Sequence, residues 1–375
     1  MRIGWVIGIE EVMDLPDIIL LFCDGCVTGY RPKLGFMRLP EPRIIDPNSV
    51  PSLRWGIIGP GGIAQVFIAA VQAHTTQQIH GVASRTPGRA QEVALQHSIP
   101  LVLDSYEELV EHPDIDVIYI ASHMSDHFEH AMLAINAGKH LLVEKPITYA
   151  PQEARDLLAA AKAKGVLAME AMWTRYLPQS DVINQLLEAG ELGQTELLTA
   201  SFCADNRAIP RLWQKGGGGI VFDMGIYPIA IAQQFMGNPI KITATGRVRA
   251  DGMDEESYAI LEYVDGGRAQ LTMSGITSQP ISASCSFEKG LVLVQEPFLA
   301  PSGIKLRDKE FYFSEHSWSD NSLVQGHEGL SYQATALASY VARGLLESPV
   351  HSHADTVANI EVAAEITRQI GAKPF

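Results

Sequence analysis

Positive charge is scarce in this chain. Lys and Arg together number 28 against 43 Asp and Glu in 375 residues, a formal net charge of −15 at pH 7. That excess argues against a nucleic-acid surface and against a polybasic membrane patch. Any anionic ligand must then be met by cations gathered locally. Cysteine is scarce too: the four present are scattered, give no disulfide framework and fit a reducing cytosol. Cys23 and Cys26 form a CxxC, but neither a second pair nor a redox-type βαβ context accompanies it, so a metal or redox role has little support. Long hydrophobic runs are missing, and none approaches the ~20 residues of a membrane span. What is there, 46% hydrophobic and 19% charged residues, suits a folded soluble protein, and the length suits two domains.

Residues 1–52 lack regular periodicity. Pro16, Pro32, Pro40, Pro42, Pro47 and Pro51 break the stretch, and its one apolar run, Ile18 to Cys23, is too short to be a core element alone. Glu10, Glu11 and Asp14 interrupt any signal-peptide h-region. The stretch is therefore expected to be a leader outside the fold. It reads as an appendage, a disordered arm, or upstream sequence with the start at Met37, and the sequence leaves these open.

From Leu53 the pattern alternates short apolar runs with helical stretches, which predicts a doubly wound α/β domain over residues 53–171. Strands are expected at Leu53–Ile58, Ile79–Ala83, Leu101–Leu103, Asp116–Ala121, His140–Val143 and Val166–Met169. Helices should begin at Ile63, at Pro87 with Thr86 as a cap, after a Ser105/Glu108 capping box, near Asp126, and at Pro151. After Trp173 the grammar changes. Residues 172–375 should form an α+β domain: a helix over Pro178–Ala189, β-rich segments joined by turns, and two closing helices near Tyr332–Leu346 and Ala354–Ile370. A large, mostly antiparallel sheet with one face under helices would leave an apolar other face. That predicts a homo-oligomer, most simply a two-fold dimer.

The chemistry is concentrated in a few places. Trp55-Gly56-Ile57-Ile58-Gly59-Pro60-Gly61-Gly62-Ile63-Ala64 reads as a buried strand turning through glycines into a helix. Gly59, Gly61 and Ala64 fill the G-x-G-x-x-[GA] pattern of a dinucleotide pyrophosphate turn, with Gly62 and Ile63 in the loop. Strand two ends not in an acid for a ribose hydroxyl but in Ser84-Arg85-Thr86, which can bind a 2′-phosphate, so the cofactor expected is NADP. Glu144-Lys145-Pro146 follows the strand Leu141-Leu142-Val143 at the edge where open α/β sheets keep ligands. Trp173 and Trp213 suit a pocket wall or a core equally. His123, His127 and His130 share helical spacing, but no cysteine or carboxylate completes a metal motif, so no metal is expected. Gly216 to Gly219 reads as a flexible approach to a helix carrying Asp223.

These residues, with Ser105-Tyr106-Glu107-Glu108-Leu109, Met169-Glu170-Ala171-Met172-Trp173-Thr174-Arg175-Tyr176, Gly217-Gly218-Gly219-Ile220-Val221-Phe222-Asp223-Met224-Gly225-Ile226-Tyr227 and Gly329-Leu330-Ser331-Tyr332, recur in order and at matching spacing in one group. From Leu53 onward the chain resembles the Gfo/Idh/MocA oxidoreductases, and within them the dihydrodiol and NADP-dependent D-xylose dehydrogenases. Residues 1–52 fall outside the resemblance. It implies that Lys145 contacts the reacting oxygen beside the nicotinamide, with Glu144 at the cofactor and a proline-preceding peptide that is often cis in the family. Asp223 and Tyr227 would occupy the D-x-x-x-[HY] pair, Arg175 and Trp173 would meet substrate, and His127 would lie near the nicotinamide ribose and carboxamide. One departure stands: Met124 occupies a place where the dihydrodiol enzymes carry a second histidine.

The expected activity is hydride transfer between NADP and a hydroxyl or carbonyl carbon of a cyclic polyol, sugar or trans-dihydrodiol, in the cytoplasm. Anhydro-sugar reduction and inositol oxidation are the variants within that class. A non-catalytic NADP sensor and a metal-dependent lyase or hydrolase are the rivals outside it. Tyr227 is expected to move the proton, with Lys145 lowering its pKa and Asp223 orienting the pair. The assignment can be reversed, since Lys145 is the other candidate for the proton.

Overall fold

Short apolar strands alternate with amphipathic helices through the first half of the computed structural model, which describes residues 39–214, 216–309 and 315–373. In chain order they are β1 (Arg54–Ile58), α1 (Gly62–His74), β2 (Gln78–Ala83), α2 (Arg89–His97), β3 (Leu101–Leu103), α3 (Tyr106–Glu111), β4 (Val117–Ile120), α4 (His127–Asn136), β5 (His140–Val143), α5 (Pro151–Lys164) and β6 (Ala168–Glu170). All six strands are parallel, in the order β3-β2-β1-β4-β5-β6. This is the doubly wound order, and its direction reverses between β1 and β4, where such sheets open a crevice at their carboxyl edge. Helices cover both faces, so the central strands are buried on both sides: Ile57, Ile58, Tyr119, Ile120, Leu142 and Val143 have no exposed surface. Phe67 of α1 stacks on Tyr119 of β4 at 4.0 Å between ring centroids and lies against Trp55 of β1 at 5.6 Å. That aromatic cluster fixes α1, and with it the glycine turn at its N-terminus.

The second half adds α6 (Pro178–Ala189), β7 (Thr195–Cys203), α7 (Ile226–Met236), β8 (Lys241–Val248), β9 (Asp254–Glu262), β10 (Arg268–Ser274), β11 (Ala283–Phe287), β12 (Gly290–Val294), β13 (Gly303–Asp308), β14 (Glu315–Ser319), α8 (Leu330–Ala342) and α9 (His353–Ile370). Its eight strands run β14-β13-β12-β11-β7-β10-β9-β8. Every pair is antiparallel except β7 with β10. One face packs on α7 and α9, while α8 returns to α1 and α9 to α5, so the closing helices also cover the first sheet.

Several details differ from expectation. The open face of the large sheet is not a continuous apolar patch. Leu197, Tyr258 and Ile260 are exposed there at 47%, 44% and 38%, but they sit in register with Arg268, Thr272 and Gln270. Strict alternation sends most of the apolar residues of these strands to the helix-covered side. The leader expected to lie outside the fold is corrected for its described part. Asp46 caps a 3-10 turn at Pro47–Ser49, and Arg43 hydrogen-bonds Asp181 and Glu188 of α6 at 2.8 and 3.1 Å. The Gln77 side chain donates to the Pro51 carbonyl at 2.9 Å. Polar groups on the body give this proline-broken strand-less segment the partners it cannot find within itself. Cys23, Cys26 and the run Ile18 to Cys23 lie outside the described residues. Gly88, not Thr86, precedes the first turn of α2. The capping box at α3 is half made: Ser105 accepts from the Glu108 amide, while the Glu108 carboxylate reaches the Asp104 amide instead. Strands β13 and β14 go beyond the expected β-rich segments, and the helix expected to carry Asp223 is found as a π-helical turn, Val221–Gly225, continued by α7. No helix among the described residues is long and apolar enough to cross a membrane.

Candidate active site

Four strand ends meet at the carboxyl edge of the parallel sheet. After β1, Gly59 adopts a φ of 77°, and a Cβ there would lie 2.7 Å from the Ser122 backbone. Only glycine allows the β1 turn to press so close to the loop after β4. Gly61 opens α1 with no side-chain cap and no acid in the first turn. Gly62 has nothing within 4 Å of a would-be Cβ, Ile63 is 37% exposed and Ala64 is fully buried. The N-terminus of α1 thus carries no side-chain cap and no acid, with the positive end of the helix dipole behind it, an arrangement that fits a pyrophosphate.

Beyond β2, Ser84 accepts from the Thr86 amide at 3.1 Å. Arg85 is exposed and pairs with Asp126, the residue before α4. A second arginine, Arg89 at the start of α2, donates to the Pro60 carbonyl at 3.2 Å and pairs with Glu92 at 2.8 Å. Arg89 was missed, although its place four residues after Arg85 on the same β-to-α connection was the available signal. No acid stands at the end of β2.

Past β4 and β5 the loops are locked by buried polar groups. The ring of His127 lies between two carbonyls, with Nδ1 3.0 Å from Pro146 and Nε2 3.3 Å from Ser122. Burial pushes its pKa down to about 4, so the neutral ring has one proton to donate to one of these carbonyls. Lys145–Pro146 is a cis peptide. Glu144 accepts from Tyr119, and burial holds its carboxyl above the ordinary range despite that bond. Glu170, fully buried, accepts from the Ile147 amide at 2.9 Å and pairs with His351 at 2.8 Å. The loop bearing Lys145 is thus tied from β6 and from the segment ahead of α9. This tie was missed, because 181 residues separate its two ends.

Opposite this loop, Val221–Gly225 forms a π-helical turn that runs into α7. Wide turns of this kind release backbone groups from the regular helical ladder and are frequent at functional sites. Here Lys145 Nζ donates to the Asp223 carbonyl at 2.6 Å and sits 3.7 Å from Asp223 Oδ1. It also lies over the Tyr227 ring, 4.8 Å from the centroid. Arg211 adds a second cation, 3.0 Å from the same Oδ1. Its place in a 3-10 turn twelve residues upstream carries no sequence period that would have revealed it. Asp254, at the start of β9, accepts from the Val221 amide at 2.7 Å and seats the turn from below. Trp173 Nε1 donates to the Tyr227 hydroxyl at 3.0 Å.

The electrostatics follow from this packing. Burial alone would lower the Lys145 pKa, but Asp223, Tyr227 and Glu144 outweigh it and hold the ammonium above its ordinary range. Asp223 is pushed up by burial, yet Lys145 and Arg211 keep its carboxyl below the usual range. Tyr227 ends above its ordinary value, because burial outweighs the pull of Lys145. The expected lowering of the Tyr227 pKa is therefore absent from this geometry. Lys145 does pull the phenol towards deprotonation, but the cost of burying a phenolate is larger.

Arg175 is not brought to this cluster. Its guanidinium is buried and donates to the Ala230 carbonyl at 3.2 Å, to Gln233 at 3.1 Å and to the Val350 carbonyl at 3.0 Å. It ties α7 to the segment before α9, which leaves the expected substrate contact without support here. The histidines also disperse: His130 meets Ser122 at 2.8 Å while His127 faces Pro146. No metal-binding group of three or more His, Cys, Asp or Glu occurs among the described residues. Trp213 donates to the Asn206 carbonyl at 2.9 Å and lies under Arg249.

Comparison with known proteins gives consistent matches across the chain. Residues 53–172 match the family described as an oxidoreductase family with an NAD-binding Rossmann fold, and residues 181–292 match the GFO/IDH/MocA C-terminal domain. A trans-1,2-dihydrobenzene-1,2-diol dehydrogenase of Mus musculus is 32% identical over 326 residues, covering 85% of this chain and 97% of its own. Its namesake in Danio rerio is 34% identical over 325 residues, with the same coverage. Among solved structures, a 3-ketoreductase from Actinomadura kijaniata in complex with NADP and TDP-benzene superposes with a TM-score of 0.75 at 24% identity, covering 85% of this chain and 98% of its own. A levoglucosan dehydrogenase in complex with NADH and levoglucosan gives 0.76 at 20% identity, covering 85% and 97%. The structural likenesses speak to the fold alone.

Proposed function

The chain belongs to the Gfo/Idh/MocA family of oxidoreductases, and from that premise we propose that it is an NADP-dependent dehydrogenase or reductase acting on the hydroxyl or carbonyl carbon of a cyclic polyol, a sugar or a trans-dihydrodiol. The observation that carries the reading is the convergence of Lys145, Asp223 and Tyr227, with Trp173 donating to the phenol oxygen. Because that oxygen already accepts a hydrogen bond, the phenol's own proton is free to turn towards a substrate oxygen. A cofactor sensor has no use for such a group.

In this reading residues 53–171 hold the dinucleotide and residues 172–375 hold substrate. Gly59, Gly61, Gly62, Ile63 and Ala64 cradle the pyrophosphate on the bare N-terminus of α1. Ser84, Arg85, Thr86 and Arg89 meet the 2′-phosphate, and the absence of an acid at the end of β2 supports NADP over NAD. Glu144, Lys145 and His127 line the nicotinamide end. The bound nicotinamide supplies the hydride or takes it up. Lys145, kept cationic by Asp223, polarises the reacting oxygen. Tyr227 gives that oxygen its proton in reduction and removes it in oxidation. Arg211 shares Asp223 and limits how far Asp223 can neutralise Lys145. Trp173 forms the wall beside the phenol.

The direct test is NADP+ reduction over a panel of aldoses, inositols, anhydro-sugars and trans-dihydrodiols, run with and without a chelator. Turnover of one substrate class, unaffected by chelation, supports the reading; inhibition by the chelator favours a metal enzyme. A wild type that prefers NAD+ would sink the NADP assignment. We propose further that the open face of the large sheet pairs two copies, with Leu197, Tyr258 and Ile260 as its exposed apolar contacts among polar neighbours. Light scattering that gives a monomer mass at micromolar concentration would refute that pairing.

A further inference from the structure

Arg85 and Asp126 belong to opposite sides of the crevice. Arg85 lies two residues beyond the end of β2, and Asp126 lies between β4 and α4. In the sheet, β1 runs between those strands and ends in the glycine turn. The Arg85–Asp126 pair therefore passes over the end of β1, across the groove a dinucleotide must occupy. Arg85 remains 58% exposed and Asp126 23%, so the pair is open to exchange with solvent and with a ligand.

Both arginines on this connection already have an acid. Arg89 pairs with Glu92 and Arg85 with Asp126, so neither guanidinium stands unpaired beside the groove. Burial pushes the Asp126 carboxyl up, but Arg85 outweighs it and leaves the group below its ordinary range, fully ionised at neutral pH. Asp126 does not serve its own helix, because its side chain makes no capping bond to α4. Ser125 Oγ and Arg85 are its side-chain partners.

We propose that Asp126 sets cofactor selectivity by competing with the 2′-phosphate for Arg85. The inference rests on the reading of Arg85 as the 2′-phosphate ligand. One guanidinium faces two anions, and the carboxylate also repels the phosphate across the same groove. NAD(H), which lacks the phosphate, meets neither effect. The chain therefore binds NADP(H) less tightly than Arg85 alone would allow, and its preference over NAD(H) is narrower.

The test is a thermodynamic cycle on the full chain. NADPH and NADH dissociation constants are measured by calorimetry for wild type, Asp126→Asn, Arg85→Ala and the double variant. Asp126→Asn should tighten NADPH by about 3–10-fold, the scale of an exposed ion pair plus a removed like charge, with no comparable gain for NADH. In the Arg85→Ala background the gain should shrink, since only the repulsion remains. Asp126→Ser, equally small and uncharged, should reproduce the gain. The inference is overturned if the wild type prefers NADPH, loses it on Arg85→Ala, and yet gains nothing from Asp126→Asn or Asp126→Ser. Weaker NADPH binding in those variants overturns it too, because Asp126 would then be orienting Arg85 for the phosphate. If the wild type shows no preference for NADPH and Arg85→Ala is neutral, the 2′-phosphate reading itself fails and takes this inference with it.

Discussion

Removing one oxygen atom separates the two candidates for the proton. Tyr227→Phe keeps the ring under Lys145 and its place at the start of α7, and takes away only the hydroxyl that accepts from Trp173 Nε1 at 3.0 Å. Two effects of different size follow. The Trp173 N–H is left without its acceptor in a buried setting, which costs about 1–3 kcal/mol of stability. Loss of a general acid lowers turnover by about 10²–10⁴, or roughly 3–5 kcal/mol of activation free energy. Cofactor affinity should barely change, because the groove residues are untouched.

The pH dependence gives the sharper sign. Tyr227 is held above its ordinary value by burial. As an acid in reduction it is therefore competent through neutral pH and loses activity only as pH climbs past the ordinary tyrosine range. As a base in oxidation it gains activity over that same alkaline interval. Stopped-flow hydride transfer in both directions across pH, beside equilibrium unfolding and NADPH titration, reads all three quantities. In Tyr227→Phe both alkaline limbs should vanish along with most of the rate. If this variant turns over normally while Lys145→Met is dead, the lysine carries the proton and Tyr227 only shapes the pocket.

Three further outcomes follow from the same geometry. Gly219→Ala should destabilise the fold by at least about 2 kcal/mol in equilibrium unfolding: its φ is 66°, and the new Cβ would lie 1.8 Å from Asp254 Oδ1. Burial raises the Asp254 carboxyl to about 6 from 3.8, so this group's contribution to stability is complete below about pH 4 and is lost as pH rises through about 6. That is about 3 kcal/mol, and Asp254→Asn should abolish this segment of the stability profile; an unchanged profile would refute the raised value. Deleting residues 1–52 should cost about 1–3 kcal/mol by thermal unfolding, because Arg43 loses α6 and Gln77 loses the Pro51 carbonyl; an unchanged melting temperature would show those contacts to be idle.

What the sequence reveals depends on how far each residue's partners lie along the chain. The glycine turn and Lys145 are legible because strand, turn and helix follow one another, and a parallel strand's end fixes where its next residue stands. Gly219 is legible as an approach to a helix, and its positive φ is the physical content of that reading. The partners that give these residues their state are not local. Asp254 seats the π turn from 33 residues away, and the Glu170–His351 tie spans nearly half the chain. Nor does a periodic pattern foretell the π turn, since an extra residue in one turn leaves the apolar spacing of α7 intact. Strands β13 and β14 escaped for another reason: β14 lies at the sheet edge with a polar, half-exposed pattern, which binary patterning reads as loop. The error over Tyr227 has the same root. Adjacency of lysine and tyrosine suggests a depressed pKa, but the sign is set by burial, which outweighs the ammonium.

The scarcity of positive charge is resolved at the crevice in two different ways. Arg85 and Arg89 pair with Asp126 and Glu92 where solvent reaches them, and exposed pairs of this kind contribute little and exchange readily. Lys145 and Arg211 share one acid, Asp223, which is 13% exposed. There the pairing is indispensable, because an ammonium as buried as Lys145 without a partner carries a desolvation cost of several kcal/mol. Two cations on one carboxylate leave a net positive charge that cannot be shed by lysine deprotonation, since Asp223 holds the Lys145 pKa above its ordinary value. A fixed positive charge beside a neutral phenol favours negative charge developing on a substrate oxygen and penalises a cation there. The acid-rich chain thus leaves Arg85 and Arg89 in exchangeable pairs and Lys145 in a locked one, and the difference lies in burial rather than in the kind of pair.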